Sequence, residues 1–73
     1  MKVLAFGQIA EITGKEFNLD ASDVENLRTG LIRSFPELSD KKFAIAVNKK
    51  VISENIKLTE SDEIALMPPY SGG

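Results

Sequence analysis

The spacing of apolar residues near the start of the chain predicts two short strands. Residues 2–6 are apolar at both alternating positions and end at Gly7, which favours a buried strand. Residues 15–20 alternate instead, with Phe17 and Leu19 on one face and polar side chains on the other, which is the pattern of a half-buried strand. We expect these two strands to pair as a hairpin.

A longer apolar stripe predicts one main helix. Ser22 and Glu25 match a capping box, in which Ser22 accepts from the Glu25 amide and the Glu25 side chain reaches back. Pro36 forbids continuation, so the helix is predicted over about 23–35. Residues 9–12 allow one further helical turn before a glycine. The stripe consists of Val24, Leu27, Leu31, Ile32 and Phe35.

The second half of the chain predicts three more strands. Residues 43–47 place three large apolar side chains on one face and two alanines on the other. A turn at 48–50 leads into a short strand at 51–52, and a polar turn at 59–62 precedes an apolar strand at 63–67. The order of elements predicts an α+β fold of the β-grasp type, with a mixed sheet of about five strands and the main helix on one face.

The predicted fold leaves apolar side chains without cover. One helix covers one side of the sheet, yet the first and last strands carry large apolar residues at both alternating positions. Some of them must face outward, and an exposed apolar patch is typical of a partner site. Single apolar residues scattered over the surface are the alternative.

Composition and charge exclude several classes of function. The 73 residues include no cysteine and no histidine, which removes disulfides, thiol nucleophiles, imidazole catalysis and the common zinc or iron–sulfur sites, so we expect no metal. A net charge of −2 argues against nucleic-acid binding. The apolar stretches are too short for a signal peptide or a membrane span, so we expect a cytoplasmic protein without a membrane partner.

The last six residues form a tail of unusual composition. They are Pro68, Pro69, Tyr70, Ser71, Gly72 and Gly73, and they follow the predicted domain of residues 1–67 directly. The two prolines end a strand and favour an extended backbone, and six extended residues reach about 20 Å. The Gly-Gly end carries no side chains that would block a narrow channel. A frayed terminus or a cloning scar is the alternative to a functional tail.

A functional tail would present the α-carboxylate of Gly73. An ionised carboxylate is not an electrophile, so its chemistry needs activation, most simply by ATP to an acyl-adenylate. The sequence contains neither a P-loop nor a glycine-rich dinucleotide-binding motif, so another enzyme must carry out that step.

The chain resembles the small subunits of molybdopterin synthase, which are ubiquitin-like sulfur-carrier proteins. The resemblance covers nearly the whole chain and is carried by residues 2–8, by the capped helix, by Ala46-Val47-Asn48 and above all by residues 62–73. The Asp-Glu pair, apolar strand and Pro-Pro-x-x-Gly-Gly ending are the specific part. Ser61 departs from the family, which often has glycine at this position of the turn.

The resemblance implies a carrier that is not an enzyme on its own and binds no cofactor. A ubiquitin-activating-type enzyme would use ATP to adenylate Gly73, and sulfur drawn from cysteine would convert it to a thiocarboxylate. The tail would then enter the large synthase subunit, which holds the catalytic groups, and deliver sulfur to cyclic pyranopterin monophosphate to form the molybdopterin dithiolene. Family similarity places the docking of both partners on Phe6, Val51 and Met67.

Three other functions share parts of this pattern. The sulfur carrier of thiamine synthesis has the same fold and a Gly-Gly end, but usually lacks the two prolines. A ubiquitin-like modifier would be joined to lysines through Gly73. A β-grasp interaction module with an inert tail would need no chemistry at Gly73.

Overall fold

The computed structural model describes residues 1–69. The predictions made for Tyr70, Ser71, Gly72 and Gly73 therefore lie outside the described residues. In chain order the elements are β1 (Lys2–Ala5), α1 (Gly7–Thr13), β2 (Glu16–Asn18), α2 (Val24–Ser34), a 3-10 helix (Pro36–Asp40), β3 (Ala44–Val47), β4 (Lys50–Val51) and β5 (Glu63–Met67).

The strands form one mixed sheet in the order β2-β1-β5-β3-β4. β1 and β5 are parallel, with Val3 opposite Ile64 and Ala5 opposite Leu66, and the other neighbouring pairs are antiparallel. The last strand of the chain therefore lies at the centre of the sheet. The predicted β-grasp fold with its five-stranded mixed sheet is confirmed.

The core lies between the sheet and α2. Leu27 and Leu31 of the helix have no exposed surface, and neither have Ile64 and Leu66 of the central strand. Complete burial of such a side chain contributes about 1.5–3 kcal/mol relative to exposure. The apolar stripe predicted for the main helix is thus the core-facing stripe. The core comprises Val3, Ala5, Ile9, Val24, Leu27, Leu31, Leu38, Ile45, Val47, Leu58, Ile64 and Leu66.

The N-terminus of α2 differs from the predicted capping box. Asp23 is the N-cap residue, and its Oδ1 accepts from the backbone amide of Asn26 at 2.8 Å. Ser22 lies one position outside the helix, where its Oγ accepts from Asn26 Nδ2 at 2.7 Å. The amide of Glu25, which Ser22 was expected to cap, donates to Asn55 Oδ1 at 2.8 Å. The capping box was wrong because a distant side chain and a neighbouring aspartate satisfy these two amides.

Two segments are more regular than the sequence pattern indicated. α1 extends over Gly7–Thr13 rather than a single turn, and it ends at Gly14 with φ 90°. Pro36 ends α2 as predicted, and it also begins a 3-10 helix that buries Leu38. Within residues 1–69, no helix is long and apolar enough to cross a lipid bilayer.

Candidate docking face and tail exit

The side of the sheet turned away from α2 carries apolar side chains, here called the outer face. Alternate residues of a strand point to opposite sides of a sheet, and Val3 and Ala5 point into the core, so Leu4 points outward. Residues in register point to the same side, which extends the outer face across the neighbouring strands. It comprises Leu4, Phe6, Ala44, Ala46, Val51, Ala65 and Met67.

The three docking residues expected from the family resemblance all lie on the outer face. Phe6 is 48% exposed and Val51 is 61% exposed, which are high values for large apolar side chains, and Met67 is half-buried. Phe6 follows β1 in extended conformation, and its amide donates to the carbonyl of Leu66 at 3.0 Å. It therefore stands beside Met67 at one end of the face, whereas Val51 lies on the edge strand β4. Their role in docking stays a prediction.

Four further residues of the outer face were not among the docking residues expected from the family resemblance. Leu4, Ala65 and Ala46 form one row across the sheet, which continues to Val51. Ala44 lies in the next row, opposite Met67. The alternation of alanines with larger residues in β3 was the available signal, because small side chains on one face leave a flat surface for a partner.

An open groove extends the outer face towards α1. Its volume is about 530 Å³, and apolar surface dominates its lining. Its charged lining residues are Glu11 of α1, Lys15 just before β2, and Glu16 at the start of β2. The lining residues are Leu4, Ala5, Phe6, Gly7, Ala10, Glu11, Lys15 and Glu16.

The tail leaves the domain next to this groove. β5 ends at Met67, where the sequence predicted the strand to end, and both Pro68 and Pro69 are exposed. Pro68 cannot donate a backbone hydrogen bond, so the pairing of β1 with β5 ends here. The first tail residues are thus adjacent to the Phe6 end of the outer face.

A hydrogen-bonded turn holds the other end of β5. Asn48 Nδ2 donates to Asp62 Oδ1 at 2.9 Å, and the amide of Glu63 donates to Asn48 Oδ1 at 3.0 Å. The amide of Thr59 donates to Asp62 Oδ2 at 2.8 Å. These donors, first the Thr59 amide and then the Asn48 side chain, hold the pKa of Asp62 below its ordinary value of 3.8. The network ties the β3–β4 turn to the start of the strand that leads into the tail.

The described part of the domain presents an exposed apolar surface beside the start of the tail. Residues 1–69 contain no group of three carboxylates arranged to hold a metal ion. The outer face and the adjoining tail exit can hold a partner and direct a chain end towards it. The remaining candidate for chemistry, Gly73, lies outside the described residues.

A family model described as the ThiS family matches residues 3–73. This chain belongs to the ThiS family. The molybdopterin synthase sulfur carrier subunit of Dictyostelium discoideum is 37% identical over 81 residues, an alignment that covers 99% of this chain and 94% of that protein. The family resemblance drawn from the sequence is thereby confirmed.

Two solved structures are similar to this chain over almost its whole length. One chain in the complex of subunits 1 and 2 of the molybdopterin-converting factor from Helicobacter pylori 26695 is 32% identical, with a TM-score of 0.72 and coverage of 99% of this chain and 96% of that one. The small archaeal modifier protein 1 from Methanosarcina acetivorans is 27% identical, with a TM-score of 0.81 and coverage of 99% and 94%. Both share the β-grasp fold described above.

Proposed function

We propose that this protein is the sulfur carrier subunit of a molybdopterin synthase, and that Gly73 holds the sulfur as a C-terminal thiocarboxylate. The observation that carries the proposal is the position of the tail exit. The chain leaves β5 through Pro68 and Pro69 beside Phe6, at the end of an apolar outer face that α2 does not cover. A partner bound to this face would therefore receive the residues that follow.

The chemistry takes place at the terminal carboxylate. An oxygen of the Gly73 carboxylate attacks the α-phosphorus of ATP, and pyrophosphate leaves. A hydrosulfide ion, whose sulfur is drawn from cysteine, then attacks the acyl carbon of the adenylate, AMP leaves, and the thioacid loses its proton to water. The product is a thiocarboxylate, whose sulfur is nucleophilic and can be transferred to cyclic pyranopterin monophosphate. Two such deliveries supply the two sulfurs of the molybdopterin dithiolene.

The catalytic groups for these steps belong to the partners. A ubiquitin-activating-type enzyme binds ATP and forms the adenylate, and the large synthase subunit acts on the pterin. This division of labour is supported by a chain without cysteine or histidine and by the complex of two subunits that the Helicobacter pylori relative forms. The name of the Dictyostelium relative favours the molybdopterin pathway over the thiamine pathway.

The proposal predicts a mass change at one residue. The full chain is incubated with a matching adenylating enzyme, ATP and sulfide, and intact mass spectrometry is used to detect replacement of one oxygen by sulfur. Fragmentation should locate the sulfur on Gly73, and a chain lacking Gly73 should stay unmodified while its circular dichroism is unchanged. Absence of a thiocarboxylate with every matching enzyme would refute the proposal.

Protein modification is a second candidate function. The observation that favours it is the likeness to an archaeal modifier protein, whose TM-score of 0.81 and identity of 27% extend over almost the whole chain. In this case the Gly73 adenylate would react with a lysine amine and form an isopeptide bond. Peptide mass spectrometry of cell extracts distinguishes the two candidates, because only a modifier leaves its C-terminal residues attached to lysines of other proteins.

A further inference from the structure

We propose that Gly7 is a positioning residue for the tail, because its lack of a side chain makes room for the ring of Pro68 and so sets the direction in which the tail leaves the domain. The expected effect on sulfur loading rests on the proposed function, whereas the contact between Gly7 and Pro68 can be tested separately.

Gly7 and Pro68 meet where the pairing of β1 with β5 ends. Ala5 is opposite Leu66 in the parallel register, so two further steps along both strands bring Gly7 opposite Pro68. Neither residue continues the ladder. Gly7 begins α1, and Pro68 has no backbone amide hydrogen to donate. The two backbones part at this contact.

The contact leaves no room for a side chain on Gly7. A Cβ built on Gly7 would lie 2.6 Å from Pro68 Cγ and 3.4 Å from Pro68 Cδ. The first distance is well below the separation of about 3.5–4.0 Å at which two carbon atoms pack favourably. The proline ring is closed on its own backbone and cannot swing away as a flexible side chain would. A side chain on Gly7 would therefore displace the backbone of Pro68.

A displacement at Pro68 matters because of its position in the chain. Gly73 lies five residues further on, so its reach from Pro68 is at most about 17 Å. A shift at Pro68 therefore moves the point from which the chain extends towards the reactive carboxylate. Misplacement of a reacting group by about 1 Å can lower a rate about a hundredfold.

Gly14 provides a control for the positive φ of Gly7. Gly7 has φ 59° and Gly14 has φ 90°, so both lie in the region that disfavours other residues. A Cβ on Gly14 has no neighbour within 4 Å. Gly14→Ala therefore introduces backbone strain alone, whereas Gly7→Ala introduces backbone strain and the clash with Pro68.

The test measures loading of the full chain with sulfur by a matching adenylating enzyme, ATP and sulfide. We expect Gly7→Ala to lower kcat/KM for loading about ten- to a hundredfold, whereas Gly14→Ala stays near the wild-type value. In a Pro68→Ala background the atom nearest to the new side chain would be the Cβ of residue 68 at 4.0 Å, so Gly7→Ala should have little further effect there. An equal loss in both backgrounds, or an equal loss in Gly14→Ala, would overturn the proposal.

A second variant and an NMR measurement distinguish a positioning role of Gly7 from a folding defect and from failure of the proposed function. Where Gly7→Ala does not fold, Gly7→Asn replaces it, because asparagine tolerates positive φ yet still carries a Cβ. In the wild-type chain, NMR should show a nuclear Overhauser effect between the Gly7 α-protons and the Pro68 ring. Absence of this signal from the wild-type spectrum overturns the positioning role. Failure of every enzyme to load the wild-type chain counts against the proposed function alone.

Discussion

Single polar side chains fix the β3–β4 turn and join it to the turn that leads into β5. Asn48 and Lys49 have φ values of 52° and 72°. A two-residue hairpin turn of type I′ requires a positive φ at both of its central residues. Asn48 also bridges to Asp62 and Glu63, so one amide side chain supports two turns. The sequence indicated both turns but did not show that they are joined, because their residues are far apart in the chain.

The Asp62 carboxylate makes stability depend on pH at the acidic end. Its pKa is lowered in the folded state below 3.8, so the unfolded chain binds this proton more readily. The resulting stabilisation is complete above about pH 5, since an unfolded aspartate has a pKa of about 3.9. It is lost as the pH falls through the lowered pKa of the folded state.

We therefore expect Asp62→Ala to lower the melting temperature near pH 7 and to flatten its dependence on pH below about pH 4. Thermal unfolding followed by circular dichroism over this range is the measurement. Glu60→Ala is the control, because Glu60 is a neighbouring exposed carboxylate outside the network. Identical pH profiles for the wild type and Asp62→Ala would contradict the assignment.

Among the elements, α2 shows most clearly what a sequence pattern can predict. Its stripe of apolar residues predicted the buried face, with Leu27 and Leu31 in the core, because periodicity is a local property. Its first turn was assigned incorrectly, because Ser22 and Asp23 are both good N-cap residues and adjacent in sequence. Asn55 lies 30 residues from Glu25, and no local pattern indicates that it reaches the helix.

The cap of α2 gives a prediction that separates the two assignments. Asp23→Ala should lower the free energy of unfolding by about 0.5–2 kcal/mol, because the Asn26 amide loses its partner. Ser22→Ala should cost less, since it removes only an exposed contact between side chains. Urea unfolding of both variants measures the difference. A larger loss for Ser22→Ala would restore the predicted capping box.

At the scale of the whole molecule, the sheet has a second apolar surface that α2 does not cover. α2 covers one side of the sheet, and seven residues of the outer face lie on the other. Val51, which is 61% exposed, contributes little to the stability of the isolated chain. Its side chain gains a packing partner only when another protein covers the face.

We expect Val51→Asp to raise the Kd for a matching large synthase subunit at least about tenfold, since a charge buried in an interface without a partner is costly. Its melting temperature should stay near that of the wild type. Thr29→Asp adds the same charge on an exposed position of α2 and should leave binding unchanged. Isothermal titration calorimetry measures both. Equal losses of affinity would remove the outer face from the interface.

The sequence by itself determined the presence of five strands, the apolar face of α2 and the composition of the tail, because periodicity and prolines act over a few neighbouring residues. Only the tertiary structure decided which side of β1 and β5 meets the helix, which residue caps α2, and that Gly7 lies against Pro68. The physical reason is the same for all three. Each depends on strand register and on contacts between distant segments, and a shift of one residue in register would reverse which side chains are buried.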